Sequence, residues 1–471
     1  LARRQAELNL ELSERNWLPA LPGGYDWVFA FFPDYRPLQW FLIEKNQTVP
    51  KTTRLPMFSM RSLLPAMACL LLATSSTYAQ RKLPSPRMLT QHGLEQAWWN
   101  QATLDPSSEK VRHLVISEDI IFVQSTGGVV TAFDAESGKK LWAIQLGRRD
   151  QPNQALVVNN EVAFVVVGTS LYAIEKRTGK SLWQIKLPGA PATSPAVDKF
   201  RVYLGMRDGS VYALNLKKIN ELYEKRLLPQ YSHLTVVWRY KAPLGISSQP
   251  IATGASVNFA SRSGSLYAVD GPDRKLRFQF ETNKPISAPL AFDGKYLYMA
   301  AQDFNLYCID GRNGAVRWQF STGLPTFRSA RVIGDDVFVM PARGGMHCLT
   351  TLSGRERWWR PKIVDLLAVT PTTVFASDLG GNVVLLSRNN GSVRGALPLR
   401  QYDFRQPNDR TDRLYLATTS GLIVCLREKG REFPIYHANP ENRPIIPEFT
   451  PDEEPAVPSD TPPQPGTSNK Q

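Results

Sequence analysis

The stretch AFDAESGKKLW, from Ala132 to Trp142, sets an acid, a glycine, two lysines and a tryptophan within one short segment. Asp134 with Lys139 or Lys140 would suit an active-site pair that moves a proton or holds an anion. Other chemistry-bearing residues are sparse. The five histidines (His92, His113, His233, His347 and His437) are dispersed, with no HExxH and no Cys/His pair at metal-ligand spacing. There is no glycine-rich phosphate loop, no GxSxG elbow and no Cys-Cys dipeptide. Single Asp and His residues in such a chain are more often turn or surface residues. Recurrence decides between a site and a scaffold.

The pattern recurs. AIEKRTGKSLW ends at Trp183, AVDGPDRKLRF at Phe278, CIDGRNGAVRW at Trp318 and CLTTLSGRERW at Trp358, and a worn copy, LLSRNNGSVRG, ends at Gly395. One further copy is split: VYALN near Asn215 is followed by an insertion and then VVW ending at Trp238. A period near 40 residues marks a stacked or radial repeat. Each copy opens with an alternating strand such as DIIFVQS, turns at a glycine, continues as VTAFD or LYCID, turns again at SGK or TGK, and ends in a strand carrying LW. A loop then leads to a further apolar strand. Period-2 alternation between Gly/Asx turns predicts hairpins, and four short strands per repeat predict the blade of a β-propeller.

The opening strands begin near Asp119, Glu161, Arg201, Ser256, Tyr296, Asp336, Thr373 and Arg413, so the expectation is an all-β, eight-bladed propeller over residues 93–431. The last unit lacks its Trp strand. EQAWWNQ, from Glu95, is a Trp strand without a hairpin and can complete it, which closes the ring. Ala132 and its equivalents, including Cys308, Cys348 and Cys425, hold a small buried position, so these three cysteines are expected as buried free thiols. Asp134, Asp270 and Asp310 are expected to accept hydrogen bonds from turn amides. Gly138, Gly179, Gly314 and Gly354 are expected to supply positive φ. Trp142, Trp183, Trp238, Trp318 and Trp358 are expected to wedge between blades.

The ends differ from the body. Met60–Ala79 has the form of a secretory signal: Arg61, an apolar run from Leu63 to Ala73, and small residues before Gln80. The run is short for a membrane span, and Cys69 lies within it, so lipid anchoring is not expected. Residues 1–59 are read as an upstream extension or a mis-called start, with translation beginning at Met57 or Met60, and 80–92 as a linker. Residues 432–471 are proline-rich with a net charge of −5 and are expected to be disordered. The body from 80 to 431 carries +17, but no run of Lys/Arg with interleaved aromatics points to nucleic acid.

AFDAESGKKLW matches the form A-x-D-x-x-x-G-K-x-x-W of the tryptophan-docking motif, and the chain resembles the PQQ-type (quinoprotein-like) propellers over about 340 residues. That resemblance implies one of two functions. The dehydrogenases of the family hold PQQ beside a vicinal cysteine pair, with Ca²⁺ and a catalytic Asp on long inserted loops. This chain lacks the pair, and its inter-blade loops are short. The other class, BamB-type outer-membrane assembly propellers, fits in size and plainness. The reading is therefore a secreted or periplasmic, monomeric, non-catalytic scaffold without a cofactor, binding a cell-envelope protein or other macromolecule, not nucleic acid. Membrane contact stays open, though not through a transmembrane helix. The alternative is a PQQ-dependent dehydrogenase. Partner contacts are expected on loops after the Trp strands, at Arg148, Arg149, Ser194, Ser248, Gln249, Phe327, Arg328, Tyr402 and Arg405. A second candidate is the insertion KKINELYEKRLLPQYSHL, where Ile219, Leu222, Tyr223 and Leu227 are spaced for a short amphipathic helix.

Overall fold

The alternating segments of the repeat form eight four-stranded antiparallel sheets, the blades of a propeller. The computed structural model describes residues 83–438; the upstream segment, the leader-like stretch and most of the acidic tail fall outside the described residues. Blade one runs Val111–Ile116, Ile120–Ser125, Val129–Asp134 and Lys140–Gln145, neighbours in that order. First strands of adjacent blades touch, as Val157–Val158, Ala196–Val197 and Ile251–Ala252 do, which places them around the axis and the fourth strands outside. Strand Ile120–Ser125 is buried throughout because sheets cover both of its faces, whereas the outer strand Lys140–Gln145 alternates. The apolar strand that follows each Trp strand is the inner strand of the next blade. Each turn of the ring thus ties blade to blade.

The eighth blade takes three strands from the chain's far end, Phe404–Arg405, Leu414–Ala417 and Leu422–Glu428, and its outer strand from Leu94–Gln101. Trp98 pairs with Cys425 in that closure. Closing the ring in this way leaves no gap for edge-to-edge pairing.

One layer repeats across the second, third and fourth strands: an aromatic, a small residue, a tryptophan. Phe122, Ala132 and Trp142 stand in register, as do Tyr298, Cys308 and Trp318, and Tyr415, Cys425 and Trp98. The small residue lets the two flanking rings approach, to 5.9 Å between Phe122 and Trp142. Burial pushes the Cys308 thiol up to about 12, so it stays protonated and inert. The three cysteines are free and buried.

Each tryptophan then docks on the next blade. The Trp142 indole N–H donates to Lys176 O at 3.0 Å, and its ring lies over Gly179, where a Cβ would come within 2.6 Å of it. Trp98 does the same with Ala135 O and Gly138, Trp318 with Thr351 O and Gly354, and Trp358 with Arg388 O and Gly391. Gly179 has φ +74°, so it supplies both the left-handed turn and the bare surface that the ring needs.

The exceptions have local causes. Trp183 meets the insertion of blade three instead of a turn, and its N–H donates to Asn220 Oδ1 at 2.9 Å. Asn220 lies on helix α2 (Leu216–Glu224), which buries Ile219 and Leu222 on blades two and three and leaves Tyr223 outside; Leu227, expected on the same helix, lies beyond its end and is exposed. Blade eight has no turn between its third and fourth strands, because the chain ends separate there. Blade seven therefore has nothing to dock on, and Gly395 stands where its tryptophan would be. Helix α1 (Pro86–Gln91) covers that gap with Leu89 packed on Leu385 and Leu397, and His92 over Gly395. The stretch expected as a linker thus holds a packed helix. Asp134 and Asp310 accept turn amides, from Ser137 and Arg312, both at 2.8 Å. Asp270 differs from expectation: Pro272 has no N–H to offer, and the carboxylate pairs with Arg277 instead.

Candidate functional site

Antiparallel order fixes two faces. Loops from a fourth strand to the next first strand open on the same side as turns between second and third strands; the other turns open opposite. The nine residues expected to meet a partner all fall in or next to the loops of the first of these faces, and the structure divides them.

Arg148, Arg149 and Phe327 are exposed. Arg148 pairs with Asp150 at 3.3 Å, and Arg149 reaches buried Glu109 at 3.7 Å. Arg328 is half-exposed; it pairs with Asp365 and donates to Val364 O at 2.9 Å, which ties blade six to blade seven. Gln249 donates to Pro195 O at 2.9 Å, a similar tie between the loops entering blades four and three. Arg405 donates to Gly381 O at 2.7 Å and to Leu399 O at 3.3 Å, and burial holds its guanidinium below its usual pKa. Ser194 is half-buried, and its carbonyl accepts from Thr193 Oγ1. Ser248 is buried. Tyr402 is fully buried among Leu399, Leu414 and Leu416, so it packs the core rather than lining the face. Gln249, Arg328 and Arg405 are thus staples between blades.

The exposed apolar side chains of this face lie elsewhere. Phe304, Leu324 and Trp359, 46%, 40% and 48% exposed, join Phe327 on blades five and six, while Leu244 is exposed in the loop from blade three to blade four and Leu379 in the turn of blade seven. Sequence reasoning passed over the first three. The signal was present: the turn QDFN stands where other blades read RDGS, RSGS and TSGL.

The opposite face is held by buried charge. Asp336 takes Arg388 at 2.7 Å and Arg357 at 2.9 Å; Arg413 is buried between Asp412 and Glu136 of blade one. Burial raises the pKa of Glu136 even with Arg413 beside it. A cleft of about 500 Å³ on this side lies between blade two and helix α2, lined in part by Trp183, Lys199 and Asn220.

Among the described residues no group of three His, Cys, Asp or Glu side chains could hold a metal ion. The three described cysteines are buried in three different blades. No described helix is long and apolar enough to cross a membrane.

A family model described as outer membrane protein assembly factor BamB matches residues 126–236, 234–362 and 262–431. The chain belongs to that family. BamB of Moranella endobia (strain PCIT) is 30% identical over 105 residues, covering 20% of this chain and 27% of that protein. BamB of Salmonella typhimurium (strain LT2) is 29% identical over 94 residues, covering 18% and 24%. The chain thus matches about a quarter of the length of these curated relatives. The crystal structure of BamB from Moraxella catarrhalis superposes with a TM-score of 0.54 at 16% identity, over 71% of this chain and 99% of that one, a likeness of fold.

Proposed function

We propose that this chain is a non-catalytic docking propeller that serves the assembly of outer-membrane proteins in the cell envelope. The observation that carries the reading is the BamB family match, which runs through 126–431 and so takes in most of the ring. Supporting it, the loop face offers exposed apolar and basic side chains. Gln249, Arg328 and Arg405 tie neighbouring blades in fixed relative positions, which suits a rigid platform. The leader-like stretch 60–79 supports delivery to the periplasm, and the partner is an envelope protein rather than nucleic acid.

The test is affinity purification of the tagged full chain from detergent-solubilised envelopes. Recovery of an outer-membrane β-barrel protein, or of other assembly factors for such proteins, in near-stoichiometric amount is expected. Recovery of none, with dye reduction on alcohols or sugars after incubation with PQQ and Ca²⁺, would replace this reading by the dehydrogenase.

A further inference from the structure

In six blades the last residue of the turn between second and third strands is a glycine with φ between +78° and +91°: Gly128, Gly209, Gly264, Gly345, Gly381 and Gly421. A side chain has no good place there. A Cβ on Gly345 would lie 2.3 Å from Arg360 O, and one on Gly264 2.7 Å from Lys284 O. Blade five nevertheless puts Phe304 at this position. Its φ is +69°, a left-handed backbone that costs a bulky residue conformational energy, and its ring is 46% exposed. The free chain gains little burial from that ring, so the strain points to a use outside the chain.

The surroundings continue the strip. Thr322 Oγ1 bonds Phe304 O at 2.9 Å and Leu324 O at 2.7 Å, which sets those two side chains on adjacent loops. Leu324 Cδ1 lies 3.3 Å from where a Gly344 Cβ would stand, and Gly344 O accepts the Trp359 indole N–H at 2.7 Å. Trp359 also stacks on His347, so its ring is a fixed platform. Lys284 lies in the loop entering blade five, Arg343 in the turn beside Gly344 and Lys362 just after the Trp359 strand, so all three belong to this face; they are exposed, and none has a carboxylate partner among the described residues. Arg343 and Lys362 are themselves left-handed, at +61° and +67°, so three of the five non-glycine residues with positive φ among the described residues fall in this one region.

We propose that this strip docks an extended segment of a partner protein that presents apolar side chains to Phe304, Leu324 and Trp359 and carboxylates to Lys284, Arg343 and Lys362. The inference rests on the docking reading above and names its site and chemistry. Charge complementarity selects an acidic segment. A ring tied down on both sides, as Trp359 is, favours a chain laid across it over insertion into lipid. The chain's own tail has related chemistry, with Phe449 ahead of Asp452, Glu453 and Glu454. It departs from the opposite face, however, where Tyr436 bridges Thr411.

The test uses the full chain and a fluorescent peptide of about twelve residues, alternating Phe or Leu with Thr and ending in three Glu; its control ends in three Lys. The Glu peptide should bind about tenfold tighter than the Lys peptide and weaken with added salt. Phe304→Gly should lower that affinity about fivefold or more while raising Tm by about 2–4 °C, because strain is relieved as the contact is lost. Leu324→Asp should also weaken binding. The proposal is overturned if Phe304→Gly leaves affinity unchanged, or if the Lys peptide binds equally well. It is also overturned if only phosphatidylglycerol vesicles bind, or if truncation after Ala438 raises peptide affinity about tenfold, which would give the strip to the tail. Failure of the peptide with envelope co-purification intact removes this site and leaves the assembly role; peptide binding without such co-purification does the reverse.

Discussion

Replacing Gly138 by alanine separates the two demands that the docking turn makes. The new Cβ would sit 2.3 Å from Trp98 Cδ2, and the residue keeps φ near +68°. Gly254 is the control: its φ is +75°, and a Cβ there meets nothing within 4 Å. Left-handed strain alone costs about 1–2 kcal/mol, which is the expected loss for Gly254→Ala. Gly138→Ala adds overpacking of a buried ring, about 1–3 kcal/mol more, for a total of about 2–5 kcal/mol. Trp98→Ala removes the ring itself and should cost about 3–5 kcal/mol. With the ring gone, Gly138→Ala should fall back to about 1–2 kcal/mol, so the double-mutant cycle should show coupling of about 1–3 kcal/mol. Equilibrium urea unfolding followed by circular dichroism measures all four chains. Equal costs at Gly138 and Gly254, or an undiminished cost in the Trp98→Ala background, would refute the docking account of ring closure.

Asp336→Ala should destabilise the chain by about 2–3 kcal/mol, since it strands Arg388 and Arg357, with the partial exposure of both arginines softening the loss; urea midpoints check it. Phe278 fills the docking position over Gly314 but has no N–H, so Phe278→Trp should add a hydrogen bond toward the Gly311 carbonyl and about 0.5–1.5 kcal/mol; an unchanged or lower midpoint counts against it. Burial lowers the pKa of His113 and His437. Below the ordinary histidine value of about 6.5 the unfolded chain takes up protons that the folded chain refuses, so each histidine removes up to about 1.4 kcal/mol of stability per pH unit as pH falls toward its folded value. Unfolding at pH ~7.5 and ~5.5 should show that loss, and His113→Gln should flatten it.

The repeat made the fold readable because each blade solves the same packing problem with the same residues. Strand starts expected at Asp119, Glu161 and Arg201 fall at Ile120, Val162 and Arg201. Even the closure was legible, since a Trp strand without a hairpin has one place to go. Gly395 was not: its lost tryptophan makes sense only once the neighbouring blade is known to lack a turn. The loop residues were harder still. Tyr402, Gln249 and Arg405 are the types that contact partners, yet in loops no periodicity says which way a side chain points, and these turned inward to hold blades. Phe304 carried a readable sign, an aromatic in a turn that elsewhere ends in glycine. The shared positions of the repeat report the fold, whereas this departure from them reports a local use.

The most direct measurement of the proposed role is the amount of folded β-barrel protein in outer membranes of cells lacking this chain. Heat-modifiable electrophoretic mobility reports the folded fraction of such proteins. The account predicts a fall in folded barrel protein, restored by the wild-type chain and only in part by the Phe304→Gly variant. Unchanged barrel content in its absence would contradict the assembly role.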